Sequence, residues 1–323
     1  MAFAPIILPF RRRGLCAAVA LTALVWAGCG KTPTSPPPGP SAVNVTCPVS
    51  LETTSFGGAA VPVTFATPVA FGGTAPITVT CSPASGSTFP VGTTPVSCAA
   101  TDAAAQRATC GFTVAVKGQP VLSHTRFLAF GDSLTEGKLS LTADLLVDSP
   151  QHSYPAKLLA LLVERYPTQP ITIANEGFGG EKVAESLSRF NAALSTHRPE
   201  SVLLMHGVND LNGTETGKVQ TTADGIEDLV KAARSRGMTV FVASLPPVGP
   251  PKGGCPECVE PLNDRLRAMA AAKGAVFVDV YATWGNRPGL MGADGIHPTE
   301  AGYEAIARAF FEAIRATLEP SIP

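Results

Sequence analysis

Along the second half of the chain, short apolar runs alternate with longer stretches of helical periodicity. RFLAFGD, ITIANEG, SVLLMHG, TVFVASLP and AVFVDV are rich in β-branched and aromatic residues, the pattern of strands buried on both faces. Between them SYPAKLLALLVERY, EKVAESLSRFNAAL, ADGIEDLVKAARSRG and LNDRLRAMAAAKG read as helices, and a last one falls within PTEAGYEAIARAFFEAIRATL. Five such βα units predict a five-stranded parallel sheet with helices on both faces, a three-layer α/β/α domain over residues 126–319. In such a sheet the ligand site lies beyond the carboxyl ends of the strands.

The pattern upstream is different. From Val43 to Lys117, short alternating runs such as VPVTFA, ITVTC, PVSCAA and GFTVAV are separated by Gly and Pro clusters, which predicts a small antiparallel β-sandwich. Its only charged residues are Glu52, Asp102, Arg107 and Lys117. Residues 118–125 read as a linker between the two modules.

The first 28 residues read as an export signal, with Arg11 to Arg13 preceding an apolar stretch from Leu15 to Trp26 that is too short to span a bilayer. WAGC, ending at Cys29, resembles the lipobox of bacterial lipoproteins, with Trp26 where an aliphatic residue is usual; the resemblance implies lipidation of Cys29. Residues 29–42 contain KTPTSPPPGPS, a proline-rich, semi-rigid spacer. These features predict an exported protein, lipid-anchored in a bacterial cell envelope.

The 323 residues are 45% hydrophobic and 15% charged, enough to bury a sizeable core but sparing of surface charge. The net charge of −1 becomes −4 once the leader arginines are gone, which excludes a nucleic-acid binder relying on a basic stripe.

Cysteines follow the same division. Cys47, Cys81, Cys98 and Cys110 fall within the β module, where an oxidising compartment and a small core favour two disulfides. Of the three possible pairings we expect Cys81 with Cys98, which flank a compact segment, and Cys47 with Cys110, which tie the first strand to the last. Cys255 and Cys258, in CPEC, suggest a local disulfide stiffening the loop after the fourth strand, since no companion metal-ligand pattern accompanies them. The stretch CSPASGSTFPVGTTPVSCAATDAAAQRATCGFTVAV resembles the hyalin repeat, an immunoglobulin-like extracellular module. Ala105-Gln106 stands where that family usually has Gly-Asn, a change expected to affect one turn. The resemblance implies adhesion or spacing.

The first strand of the α/β module ends at Gly131-Asp132-Ser133. Alone, this tripeptide fits an ordinary turn, with Gly131 permitting unusual backbone angles and Ser133 exposed at the rim. A nucleophilic serine needs a base, an orienter for the base and an oxyanion site. Among His124, His152, His197, His206 and His297, only His297 lies in a tight acidic loop after the fifth strand, with Asp294 three residues earlier. Gly180, at a helix start in NEGFGGEK, can offer a backbone N–H, and Asn209, in HGVND, a side-chain amide.

In this order, each after a predicted strand, GDSLTEG, NEGFGG, GVND and DGIHPT resemble the four blocks of the SGNH or GDSL family of serine esterases and lipases. The resemblance covers about Arg126 to the final helix. It implies a flavodoxin-like sheet and an acyl-enzyme mechanism needing no metal or cofactor. Ser133 would be nucleophile and first oxyanion donor, Gly180 and Asn209 the other donors, Asp294 the orienting carboxylate and His297 the base. Gly179 and Glu181 stand where relatives often show Ser and Asp, so Gly180 is preferred to Gly177 or Gly179 on its spacing from Asn175. KLSLTADLLVDSPQHSYP exceeds minimal members and is expected to form part of the pocket wall; this would put His152 and Tyr154 within reach of substrate, with a core or surface role for the two as the favoured alternative.

The expected substrate is an acetylated glycan, a lysophospholipid or another short-chain ester. Two other functions use the same sequence: an adhesion or carbohydrate-binding lipoprotein with an inactive esterase-like domain, and an acetyl transferase acting on glycans. Occupation of all five catalytic positions counts against the inactive form.

Overall fold

A computed structural model describes residue 39 and residues 41–211, 217–285 and 287–321. The export signal, Cys29 and most of the proline-rich spacer lie outside the described residues.

The first module contains β1 (Asn44–Thr46), β2 (Leu51–Phe56), β3 (Val61–Pro62), β4 (Val69–Phe71), β5 (Thr78–Ser82), β6 (Thr88–Phe89), β7 (Gly92–Thr101) and β8 (Arg107–Gln119). Four of these form a sheet in the order β2-β8-β7-β5, and β1·β4 and β3·β6 form two-stranded ribbons. The sheet is not wholly antiparallel as expected: β2 runs parallel to β8, from Leu51 opposite Val114 to Phe56 opposite Gln119. Parallel neighbours need a long crossover, and the five strands between β2 and β8 supply it.

Only Phe89, Val96, Cys98, Phe112, Val114 and Val116 are fully buried in this module's main cluster. Disulfides compensate, joining Cys47 to Cys110 and Cys81 to Cys98, the pairs read from the sequence. Cys81 and Cys98 face each other in the β5·β7 register. In the β7–β8 turn, Ala105 adopts φ +62°. Asp102 stabilises that turn, its Oδ1 accepting from the Gln106 N–H at 2.8 Å and its Oδ2 from the Thr74 N–H at 2.8 Å. The exchange of glycine for Ala105 therefore keeps the turn and places a Cβ in the left-handed region.

The second module holds the predicted strands as β9 (Arg126–Gly131), β12 (Thr172–Gly177), β13 (Ser201–Met205), β14 (Thr239–Ala243) and β15 (Val276–Val278), all parallel, in the order β12-β9-β13-β14-β15. A hairpin, β10 (Lys138–Thr142) and β11 (Leu145–Asp148), is inserted after β9. The helices are α1 (Ser133–Glu136), α2 (Tyr154–Arg165), α3 (Val183–His197), α4 (Gly217–Arg234), α5 (Pro256–Lys273), α6 (Val280–Trp284) and α7 (Glu300–Leu318). Helices α2, α6 and α7 pack together, and α3, α4 and α5 form the other layer.

Aromatic pairs pack in both helical layers. Phe130 meets Phe190 of α3 edge-on at 4.7 Å, while Tyr154 of α2 stacks on Phe310 of α7 at 5.0 Å. Phe127 to Phe130 and Val202 to Met205 are all buried, which explains why these strands read as continuous apolar runs. The stretch read as a linker is absorbed by the modules: β8 continues to Gln119, and Leu122 is buried in the α/β core, its N–H and C=O both bonded to the Gln169 side chain.

The strand order places β9 between β12 and β13, so the chain leaves β9 and β13 toward opposite layers. Such a reversal opens a crevice at the carboxyl ends of these two strands. Gly131 ends one and Met205 the other.

Candidate active site

Gly131 is a glycine because of crowding, not backbone angle. Its φ is not in the positive region, but a Cβ there would lie 1.9 Å from the Met205 carbonyl oxygen and 2.4 Å from Thr135 Oγ1. Asp132 then caps α1, its Oδ1 accepting from the Leu134 N–H at 3.1 Å. Ser133 opens the helix. It is only 4% exposed, contrary to the exposed serine expected, because the His297 ring packs against it.

His297 Nε2 lies 2.8 Å from Ser133 Oγ, and its Nδ1 lies 2.6 Å from Asp294 Oδ2. A carboxylate only accepts, so Nδ1 carries the ring proton and Nε2 is left to accept from the serine hydroxyl. Asp294 Oδ1 takes the backbone N–H groups of Ile296 and His297 at 3.1 and 3.0 Å. Burial raises the affinity of this carboxyl for a proton, but these bonds outweigh it and hold Asp294 below the usual carboxylate range. The structure thus brings the three residues together as an aligned relay.

The loop carrying Asp294 and His297 is braced on two sides. From the hairpin, Ser140 Oγ accepts from the Asp294 N–H at 3.0 Å. From the loop after β14, Gly249 N–H donates to the Gly295 carbonyl at 2.8 Å and Lys252 N–H to the Asp294 carbonyl at 3.0 Å. The Cys255–Cys258 disulfide sits at the start of α5, directly after that loop, with both cysteines buried. The insertion expected to wall the pocket therefore supports the acid–base loop. Tyr154 is wholly buried against Phe310, and His152 bonds Ser149 Oγ at 2.7 Å through Nδ1. Tyr154 thus takes the core role favoured for it from the sequence.

Gly180 adopts φ +82°, a conformation that glycine alone takes cheaply, and its N–H makes no hydrogen bond among the described residues. It lies in a turn ahead of Lys182, the N-cap of α3, not at the helix start itself. Gly177 is excluded as a donor because its N–H is already bonded to Asn175 Oδ1 at 3.0 Å. Asn209 Nδ2 donates to the Glu181 carbonyl at 3.0 Å, which sets its amide beside the Glu181–Lys182 peptide, one residue after Gly180. An amide has two hydrogens, so this bond does not exhaust the group. The Ser133 N–H, at the open end of α1, completes the set of donors.

Beneath these loops is a cluster of buried charge that the sequence did not disclose. Asp132 Oδ2 lies 3.2 Å from His206 Nδ1, His206 Nε2 lies 3.3 Å from Glu181 Oε2, and Arg189 donates to both Glu181 oxygens. Burial would push His206 down, but its two carboxylate neighbours raise it to about 9. Burial would likewise push Glu181 up, but Arg189 and His206 bring it down to about 2. Its four members, Asp132, Glu181, His206 and Arg189, come from three loops and helix α3, and no motif joins all four in the sequence.

A family model described as GDSL-like lipase/acylhydrolase matches residues 129–305, more than half of the chain. The chain belongs to the GDSL-like lipase/acylhydrolase family. It is therefore a carboxylic ester hydrolase by family, and its α/β module is the hydrolase domain. A HYR-domain model matches residues 36–116, over the β module. This GDSL hydrolase is 31% identical over 160 residues to a GDSL lipase of Mycobacterium tuberculosis, covering 48% of this chain and 69% of that protein. It is 22% identical over 217 residues to an acetylxylan esterase of Geobacillus stearothermophilus, covering 59% and 94%. Its fold matches Est24, a carbohydrate acetylesterase from Sinorhizobium meliloti, with TM-score 0.50 and 23% identity, over 59% of this chain and 98% of that one.

Proposed function

We propose that this GDSL hydrolase cleaves short-chain carboxylic esters through an acyl-enzyme on Ser133, and that the acylated substrate is a glycan. The observation that carries the reading is the alignment of Ser133 Oγ, both His297 ring nitrogens and Asp294 at 2.8 and 2.6 Å. Ser133 Oγ bonds to the ester carbonyl carbon as His297 Nε2 takes its proton. The carbonyl electron pair moves onto oxygen, facing the N–H groups of Ser133 and Gly180 and the Asn209 amide. Collapse breaks the bond to the alcohol, which leaves with the proton from His297. Water, deprotonated by His297, then attacks the acyl carbon, releasing the acid and restoring Ser133.

The glycan reading is supported by the acetylxylan esterase among the relatives. Export and lipid anchoring at Cys29 are proposed from the leader and the spacer. Among the described residues no helix is long and apolar enough to cross a membrane. Hydrolysis of p-nitrophenyl acetate, butyrate and octanoate, beside release of acetate from acetylated xylan, tests the reading. We expect the acetyl ester to be preferred and acetate to be released. A preference for octanoate with no acetate released would overturn the glycan assignment.

A further inference from the structure

The chemistry above does not use His206, yet its ring touches two of the three loops that carry the oxyanion donors and belongs to the third. It follows β13, three residues before Asn209. Its Nδ1 faces Asp132, the residue before Ser133, and its Nε2 faces Glu181, the residue after Gly180. The ring is 1% exposed, and Asp132 is wholly buried. Each ring nitrogen lies within ion-pair distance of a carboxylate oxygen, 3.2 Å to Asp132 and 3.3 Å to Glu181, and only the imidazolium presents a hydrogen on both edges. Two carboxylates, Asp132 and Glu181, are then balanced by two cations, His206 and Arg189, within one buried cluster.

We propose that His206 is a positioning residue, a doubly protonated ring that fastens the nucleophile turn to the oxyanion loop and so sets the distance between Ser133 and Gly180. The inference rests on the reading of Ser133 and Gly180 as reacting groups. Arg189 reinforces the same junction from α3, reaching Glu181 and the carbonyls of Glu176 and Gly131. The other charged groups facing the cluster are Asp210, on the turn after β13, and Glu176, 3.5 Å from Arg189. Among the described residues no group of three or more His, Cys, Asp or Glu is arranged to hold a metal. The Gly207 N–H is shared between His206 Nδ1 and Asp132 Oδ2, at 3.0 and 3.2 Å, and Arg189 already holds both Glu181 oxygens; a neutral ring would turn the lone pair of one nitrogen toward a carboxylate oxygen 3.2 or 3.3 Å away.

The sign of the pH dependence follows. The folded-state value for His206, about 9, lies above its ordinary 6.5. The clasp is therefore complete below about 6.5 and is lost as pH rises through about 9, and kcat should fall along the same curve with KM little changed.

The test uses the full chain and three variants. His206→Asn and His206→Gln each keep one donor and no charge. Both should lose about 10- to 100-fold in kcat, with KM within about twofold, and should lack the alkaline limb near 9. Ser133→Ala, measured beside them, separates the two readings: an inactive Ser133→Ala with fully active His206 variants overturns only the clasp. An active Ser133→Ala overturns the serine mechanism itself. Should the His206 variants fail to fold, NMR titration of ring-labelled histidine in the unaltered protein decides. A His206 ring protonated to about pH 9 supports the clasp, and one neutral at pH 7 overturns it.

Discussion

The two modules solve the problem of staying folded in opposite ways. The HYR module buries six residues in its main cluster and closes the rest with two disulfides, using almost no charge. The hydrolase module buries a continuous core on both faces of its sheet, and it can therefore bury Asp132, Glu181, His206, Asp294 and His297 as well. Buried charge costs several kcal/mol per ion unless paired, so only the module with the larger core can carry it. The chemistry lies where that cost is met by pairing. In the stapled module Glu52 and Asp102 are balanced by Arg107 and Lys117, with no net charge to bury.

Perturbations chosen on either side should separate the modules. The largest effect is expected from His297→Ala, which removes the base and should reduce kcat on the order of ten-thousand-fold while leaving the melting of both modules unchanged, as read by calorimetry. Next is Phe310→Ala, which removes the ring stacked on Tyr154 between α2 and α7. It should cost about 3–5 kcal/mol in the hydrolase module alone, measured by urea unfolding monitored through activity. Paired Cys47→Ser and Cys110→Ser substitutions should lower the stability of the HYR module by about 2–4 kcal/mol, leaving esterase activity intact. The smallest is a gain: Ala105→Gly relieves the left-handed backbone at φ +62° and should stabilise the HYR module by about 1 kcal/mol, a rise in its melting temperature alone.

Legibility in the sequence followed the range of the interactions involved. Strand and helix identity in the α/β module is local, set by apolar runs and by periodicity, and β9, β12, β13, β14 and β15 all fall within the five apolar runs. Ser133 and Asn209 could be named because each follows a strand at the same edge of a parallel sheet, and Asp294 and His297 because they stand three residues apart in one acidic loop after the last strand. What was missed depends on residues distant in the chain. The β2·β8 pairing joins strands across the whole HYR module, and nothing in either run marks its direction. Gly131 is glycine because of a carbonyl 74 residues away, at Met205, which no turn rule reveals. His206 lies in the motif beside Asn209, but its partners, Asp132 and Glu181, come from other blocks. Ser140 braces Asp294 across 154 residues.

The central claim is that Ser133 becomes acylated. The most direct measurement is intact-mass and peptide mass spectrometry after exposure to a fluorophosphonate, on the unaltered protein and on Ser133→Ala. The account predicts one adduct per chain, located on the peptide containing Ser133, and none in the variant. An adduct on another residue, or none on a protein shown to be folded, would contradict it.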